Sequence, residues 1–295
     1  MRRKERSALF QNPVFWYHLL GQSRYRWHKQ KALTLISITL VGLIYLYLLA
    51  QTIQYEVEPV FVQILGLLMM CLLIPLGCYS LFSMEYEKAT WESLAITRLT
   101  ANEIVFGKWF SRVLGVLLIT LLIAPLSFNA WSQSVAPHIS FLGWLGAMWM
   151  LLSWGVLLVS MGMWLSLRLR HSIATASLLY GIQVFALLFL PMLVMVLMAL
   201  TTMGRFDITP FAVAENEEPL SIGEKLKFWL MLPFDWRCLY VLNPFIATNT
   251  LLSRYSGEHW LTQYGFGWGQ GCYYWLFAGL FYLLTRWGVQ RAWRK

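Results

Sequence analysis

Charge is scarce in this chain. Only 13% of its 295 residues are Asp, Glu, Lys or Arg, against about 25% in an ordinary soluble domain. Apolar residues fill the deficit at 58%, and 16 tryptophans stand among them. Repeated apolar runs of roughly 20 residues match the hydrocarbon core of a bilayer and argue against a soluble fold. Only helices or closed barrels satisfy their backbone in lipid, and ten-residue alternation of the barrel type is missing. Cysteine is scarce too. Cys71, Cys78, Cys238 and Cys272 show no CxxC and no Cys/His ligand spacing, so a metal or redox motif is not indicated. Cys71 and Cys78, seven apart in an apolar run, read as buried thiols; a Cys238–Cys272 bridge is the lesser alternative for the other two.

Motifs for chemistry are missing as well. There is no GxxxxGK[ST] loop; the "GKW" at 107–109 lacks both the preceding loop and the following hydroxyl, which removes that route to nucleotide hydrolysis. HExxH and GxSxG are absent. His18, His28, His138, His171 and His259 fall at expected rims or loops, where solvated structural roles outweigh ligation. The central portions of all but the third apolar run hold no Asp, Glu, Lys or Arg. Ion-driven carriers, and acid–base enzymes buried in a bilayer, need such residues near the midplane. Gly143–Ala147 and Gly162–Ser166 have small-xxx-small spacing, which serves close helix packing in general. The bilayer region therefore reads as a conduit or scaffold that draws its energy from elsewhere.

What is present organises into an all-α polytopic protein, a single membrane domain over 1–295. Six spans are expected at about 32–53, 60–82, 105–127, 141–167, 173–202 and 265–285, with a kink at Pro75 in the second and Pro191 inside the fifth. Lys108 and Arg112, in the first turns of the third span, are expected to snorkel to the headgroups. Lys and Arg counts orient the chain. Residues 1–31 carry eight, 83–112 four, 168–170 two and 286–295 four, while the connections at 54–59 and 128–140 carry none. The N- and C-termini are thus expected inside, and the net charge of +9 belongs to the cytoplasmic rim rather than to a nucleic-acid site. The segment 1–31 has no apolar core or small-residue cleavage site, so a cleaved signal is not expected. Its interleaved aromatic and basic residues suit an amphipathic helix in the headgroup plane better than a single-strand-binding surface. The long connection 203–263 is placed on the outer face. Within it, Pro233, Asp235, Arg237 and Pro244 interrupt the apolar stretch 228–252, which reads as re-entrant or interfacial rather than as a seventh span.

The informative exception is 83–104, a charged segment between the second and third spans. Glu85, Lys88 and Glu92 are spaced for one helical face, with Trp91, Leu94 and Ala95 on an apolar side. Thr100 and Glu103 form a capping box, so a new helix is predicted from Ala101 into the third span. The bland reading is a solvated linker helix. The functional one is a lever: two stiff helices with a sharp turn near Arg98–Thr100 that a cytoplasmic partner pushes.

The run "EKATWESL…TRLTANEIVFGKW" resembles the signature of ABC-2-type permeases, the membrane subunits of one large class of ABC transporters. Glu87, Lys88, Thr90, Glu92, Leu94, Thr100, Glu103, Ile104, Gly107 and Lys108 match it. Ala89 stands for the usual Gly, Trp91 for Leu, and Arg98 where Pro is common. "NPVFWYHL" resembles the family's N-terminal connecting helix, and "LNPFIATNTLL" its outer-face segment. The resemblance implies a permease subunit in the cell membrane (in a bacterium, the cytoplasmic one), without an enzymatic site or bound cofactor of its own. It implies export driven by ATP and Mg in two copies of a separate cytoplasmic ATPase, with a second permease copy or homologue completing a dimer. The 85–98 helix would be the coupling helix, with Glu85, Glu87, Lys88, Thr90, Glu92 and Arg98 as contact candidates. Thr100, Glu103, Gly107 and Lys108 would begin the third span.

Rival readings are an ATPase-independent carrier or flippase, a non-transporting scaffold or assembly protein, and an intramembrane enzyme with Ser153 or Ser160 as a crude nucleophile. The cargo is not legible. Few polar groups (Gln63, Gln183) sit inside the spans, which mildly favours a hydrophobic or amphipathic one.

Overall fold

The computed structural model describes residues 14, 31–55, 57–91, 99–133, 141–194, 196, 222–231, 242–252 and 267–293. The expected connecting helix within 1–31 lies outside the described residues, apart from positions 14 and 31. Glu92, Leu94, Ala95, Arg98 and Cys238 also lie outside them, as does most of 203–263.

Among the described residues, every regular element is helical and there is no strand. The helices, in chain order, are α1 (Lys31–Gln54), α2 (Pro59–Cys78), α3 (Ser83–Glu87), α4 (Ala101–Gln133) and α5 (Phe141–Leu169). They continue with α6 (Ser172–Val184), a π turn (Phe185–Phe189), α7 (Ile222–Met231), α8 (Pro244–Leu252) and α9 (Trp268–Trp293). Five stretches are long and apolar enough to cross a membrane: Leu35–Gln54, Pro59–Glu87, Ala101–Gln133, Phe141–Leu169 and Ser172–Val194. At about 1.5 Å per residue, 20 residues span the ~30 Å of bilayer hydrocarbon. This is a multi-pass helical membrane protein.

The run expected to be a sixth span, 265–285, forms α9, which starts at Trp268 and continues to Trp293. Its 26 residues are long enough to cross. Glycines, Gln270 and a high share of tyrosine and tryptophan dilute its apolar character, so it is not among the five.

α5 is the centre of the bundle, with two thirds of its apolar window buried. α2, α4 and α9 pack on it, and Val156, Leu158, Val159 and Met163 are wholly enclosed. Gly155 makes this possible: a Cβ there would lie 2.5 Å from Val116 and 3.0 Å from the Met70 sulfur. α1 is the opposite case, with 6% of its window buried and Leu35, Ile36, Val41 and Leu43 exposed. Large exposed apolar surface of that kind marks contact with lipid or another chain.

Pro191 lies in the crossing Ser172–Val194, just past the π turn. Proline has no N–H to offer the carbonyl four residues back, that of Leu187. The Asn243 side-chain amide donates to it at 3.0 Å, while Asn243 Oδ1 accepts from the Phe245 and Ile246 N–H groups at the start of α8. The Tyr274 hydroxyl donates to Leu242 O at 2.6 Å. α8 therefore sits among α2, α5 and the broken helix, with Ala247 and Thr248 buried.

Candidate functional site: the elbow after the second crossing

The segment 79–91 is built by a helix that stops and restarts. α2 ends at Cys78, Tyr79–Phe82 turn, and α3 runs for one turn before Lys88 closes it by donating its N–H to Met84 O at 3.0 Å. A restarted helix exposes N–H groups that have no carbonyl above them. Here Ser166 of α5 receives two of them: its Oγ accepts from Phe82 N–H at 2.8 Å and Ser83 N–H at 2.9 Å. Ser166, read from the sequence only as a small packing residue, is thus the seat of the elbow.

Lys108 corrects the expectation of snorkelling. It is fully buried; its ammonium donates to Leu81 O and Glu85 Oε1 and lies 4.2 Å from the Phe82 ring centroid. Two acceptors created by the end of α2 and the start of α3 draw the amine inward, and the Phe82 face completes its surroundings. Arg112, one turn on, is laid against Gly77. Its Nε and Glu85 Oε2 have no hydrogen-bond partner among the described residues.

The other side of the elbow is clamped to the α5–α6 connection. Glu87 Oε1 accepts from Ser172 N–H at 2.7 Å and Ser172 Oγ–H at 2.8 Å, and His171 Nδ1 lies 3.4 Å away. Tyr86 stacks on Trp91 at 4.7 Å and receives the Arg170 guanidinium 4.9 Å from its ring centroid. Two residues hold left-handed backbone to shape these turns, Ala89 (φ 52°) and Arg170 (φ 58°).

The contact candidates therefore divide. Glu85 is consumed by Lys108, and Glu87 by Ser172, though Glu87 stays partly exposed. Lys88 and Thr90 form the exposed tip with Ala89. The single helical face expected for Glu85, Lys88 and Glu92 is interrupted: α3 stops at Glu87, and the left-handed Ala89 turns the chain. Glu92 and Arg98 lie outside the described residues. Downstream, Thr100 N–H donates to Glu103 Oε2 at 2.6 Å and Glu103 N–H to Thr100 Oγ1 at 3.3 Å, and α4 begins at Ala101. Gly107 is buried. His171 entered the sequence reading only as a rim or loop residue and Arg170 only in a charge count, and Ser172 did not enter it. Their signal was a short basic connection between two apolar runs, which forces neighbouring antiparallel helices.

Among the described residues no cluster of His, Cys, Asp or Glu is arranged to hold a metal. Cys71 and Cys78 are buried thiols, and Cys272 is free and exposed. A scan against protein-family models finds no match to this chain, and a search of curated proteins finds none either.

Proposed function

We propose that this chain is the permease subunit of an ATP-driven exporter of the ABC-2 type, moved by a separate cytoplasmic ATPase that docks on the elbow. The observation that carries this reading is the build of residues 81–91. The elbow is held on one flank by Lys108 and on the other by Ser166 and Ser172, yet its tip at Lys88–Thr90 is exposed. A solvated linker has no use for so many anchors. A part that takes a push needs them, because force on a loose segment is dissipated in that segment. In this reading α9 is the sixth crossing, both termini are cytoplasmic, and a second permease copy completes the path.

The test uses the intact complex purified from native membranes. Lys88→Glu with Thr90→Arg is expected to abolish co-purifying ATPase activity while the permease keeps its unfolding midpoint. With Cys238→Ser and Cys272→Ser leaving no other thiols but the buried Cys71 and Cys78, a Thr90→Cys thiol should react with a membrane-impermeant maleimide in inverted vesicles and not in intact cells. Labelling of intact cells, or transport by the purified chain alone, would overturn the proposal. Transport by the chain alone is what the rival carrier reading requires, and the buried Lys108–Glu85 pair beside Arg112 is the observation in its favour.

A further inference from the structure

α7 (Ile222–Met231) was hidden inside the long connection 203–263. At 100° per residue, Ile222, Leu226 and Leu230 share an arc of about 80°, and they are 86%, 61% and 64% exposed. Lys225 and Lys227 fall on either side of that arc, each about 60° beyond its edge. Neither lysine makes an ion pair among the described residues.

The helix is pinned at a defined depth. Trp229 lies against the first turn of α9 so closely that a Cβ on Gly269 would fall 2.0 Å from its ring. The Tyr273 hydroxyl donates to Trp229 O, and the two rings are 5.9 Å apart. That turn of α9 belongs to an aromatic girdle. Trp268 donates to Leu142 O at 3.3 Å, and Phe128, Trp131, Phe141 and Trp144 interlock beside it, with centroids 5.6–6.3 Å apart. Aromatic girdles of this kind mark the membrane–water boundary.

We infer that α7 is a lipid-binding element lying flat in the headgroup plane at this end of the bundle. Its Ile222/Leu226/Leu230 stripe enters the acyl boundary, and Lys225 and Lys227 reach lipid phosphates on both sides. The flanking lysines select a lipid surface as the occupant. Their stems cover the edges of the stripe while their ammonium groups stay at phosphate level. The inference does not depend on the proposed transport function.

The experiment uses the full chain with Cys238→Ser and Cys272→Ser, leaving the buried Cys71 and Cys78 in place. Single nitroxide labels are set at 225, 226, 227 and 230 in vesicles of phosphatidylcholine, with or without phosphatidylglycerol. Labels at 226 and 230 should collide with oxygen several-fold more, relative to a water-soluble nickel complex, than the label at 227. Lys225→Gln with Lys227→Gln should raise the nickel accessibility of the 226 label in the anionic vesicles. Nickel access at 226 and 230 equal to that at 227 would put the stripe in water and overturn the inference. So would silence of both labels to both reagents, the sign of a protein partner or a second copy on the stripe. A 226 label unmoved by the lysine changes would overturn the phosphate contact.

Discussion

The elbow and the Asn243 junction solve the same problem with opposite chemistry. Each is a place where helical backbone breaks inside a bundle that offers little water, and every polar group freed by the break needs a partner. At the elbow the restarted helix frees donors, the N–H groups of Phe82 and Ser83, and an acceptor from another helix receives them, Ser166 Oγ. At the junction Pro191 frees an acceptor, Leu187 O, and a donor from another segment fills it, the Asn243 amide. The elbow adds charge, with Lys108 and Glu85 paired in the interior; the junction uses neutral groups throughout. The difference teaches what each end can tolerate. A neutral patch can shift without stranding an ion, whereas the charged one is locked to its geometry.

The largest effect that would break this contrast is at Lys108. Lys108→Met takes the partner from the Glu85 carboxyl, in a site where Lys108 is fully buried and Glu85 is 18% exposed. Losing one member of a buried pair costs about 3–5 kcal/mol. The double change Lys108→Met with Glu85→Met should recover most of that, because no charge is then stranded. Unfolding titrations in mixed micelles measure both. If the single variant matches the wild type, the elbow is not locked by charge.

The junction should respond less, and in a way that depends on the proline. Asn243→Leu removes the two capping hydrogen bonds at the start of α8 and the donor to Leu187 O. Lost caps cost about 1 kcal/mol and a buried unpaired carbonyl about 1–3 kcal/mol. A total of roughly 2–4 kcal/mol is expected. Pro191→Ala restores a backbone N–H within reach of Leu187, so Asn243→Leu should cost about 1 kcal/mol less in that background. Strict additivity in the double-mutant cycle would show that Asn243 does not repair the proline break.

How much of this was legible beforehand follows the range of the interaction. The crossings and the Thr100–Glu103 cap are set by neighbours within a few residues, so periodicity and spacing find them. The proline at 191 was visible, but its repair comes from Asn243, 52 positions downstream, and no local rule connects the two. Lys108 was read as a rim lysine because hydropathy places charge by depth alone. Its inward turn depends on Leu81 and Glu85, whose carbonyl and carboxylate exist as a pair of acceptors only once α2 and α3 are docked. α7 was missed for a different reason: a ten-residue stripe is too short for a span search, although Ile222, Leu226 and Leu230 at intervals of four carry its signal.

The smallest effect separates the two left-handed residues at the elbow, and it sharpens the account of why its turns hold. A non-glycine residue at φ near 55° costs about 1–2 kcal/mol, because Cβ crowds the following carbonyl. The Ala89 methyl brings no compensating contact: it is exposed at the tip. Ala89→Gly relieves the crowding and loses a few tenths to backbone entropy, for a net gain of roughly 0.5–1 kcal/mol. Arg170 stands at φ 58°, yet its guanidinium covers the Tyr86 ring. Arg170→Gly gives up that cation–π contact, worth about 0.5–1 kcal/mol at an exposed site, in exchange for the same relief. Its stability should stay near that of the wild type. The pair of variants, compared in one unfolding assay, therefore asks whether Arg170 is kept in a strained backbone by its hold on Tyr86. Equal gains at both positions would mean that the aromatic contact contributes nothing, and that the elbow's hold on the α5–α6 connection comes from Glu87 on Ser172 and His171.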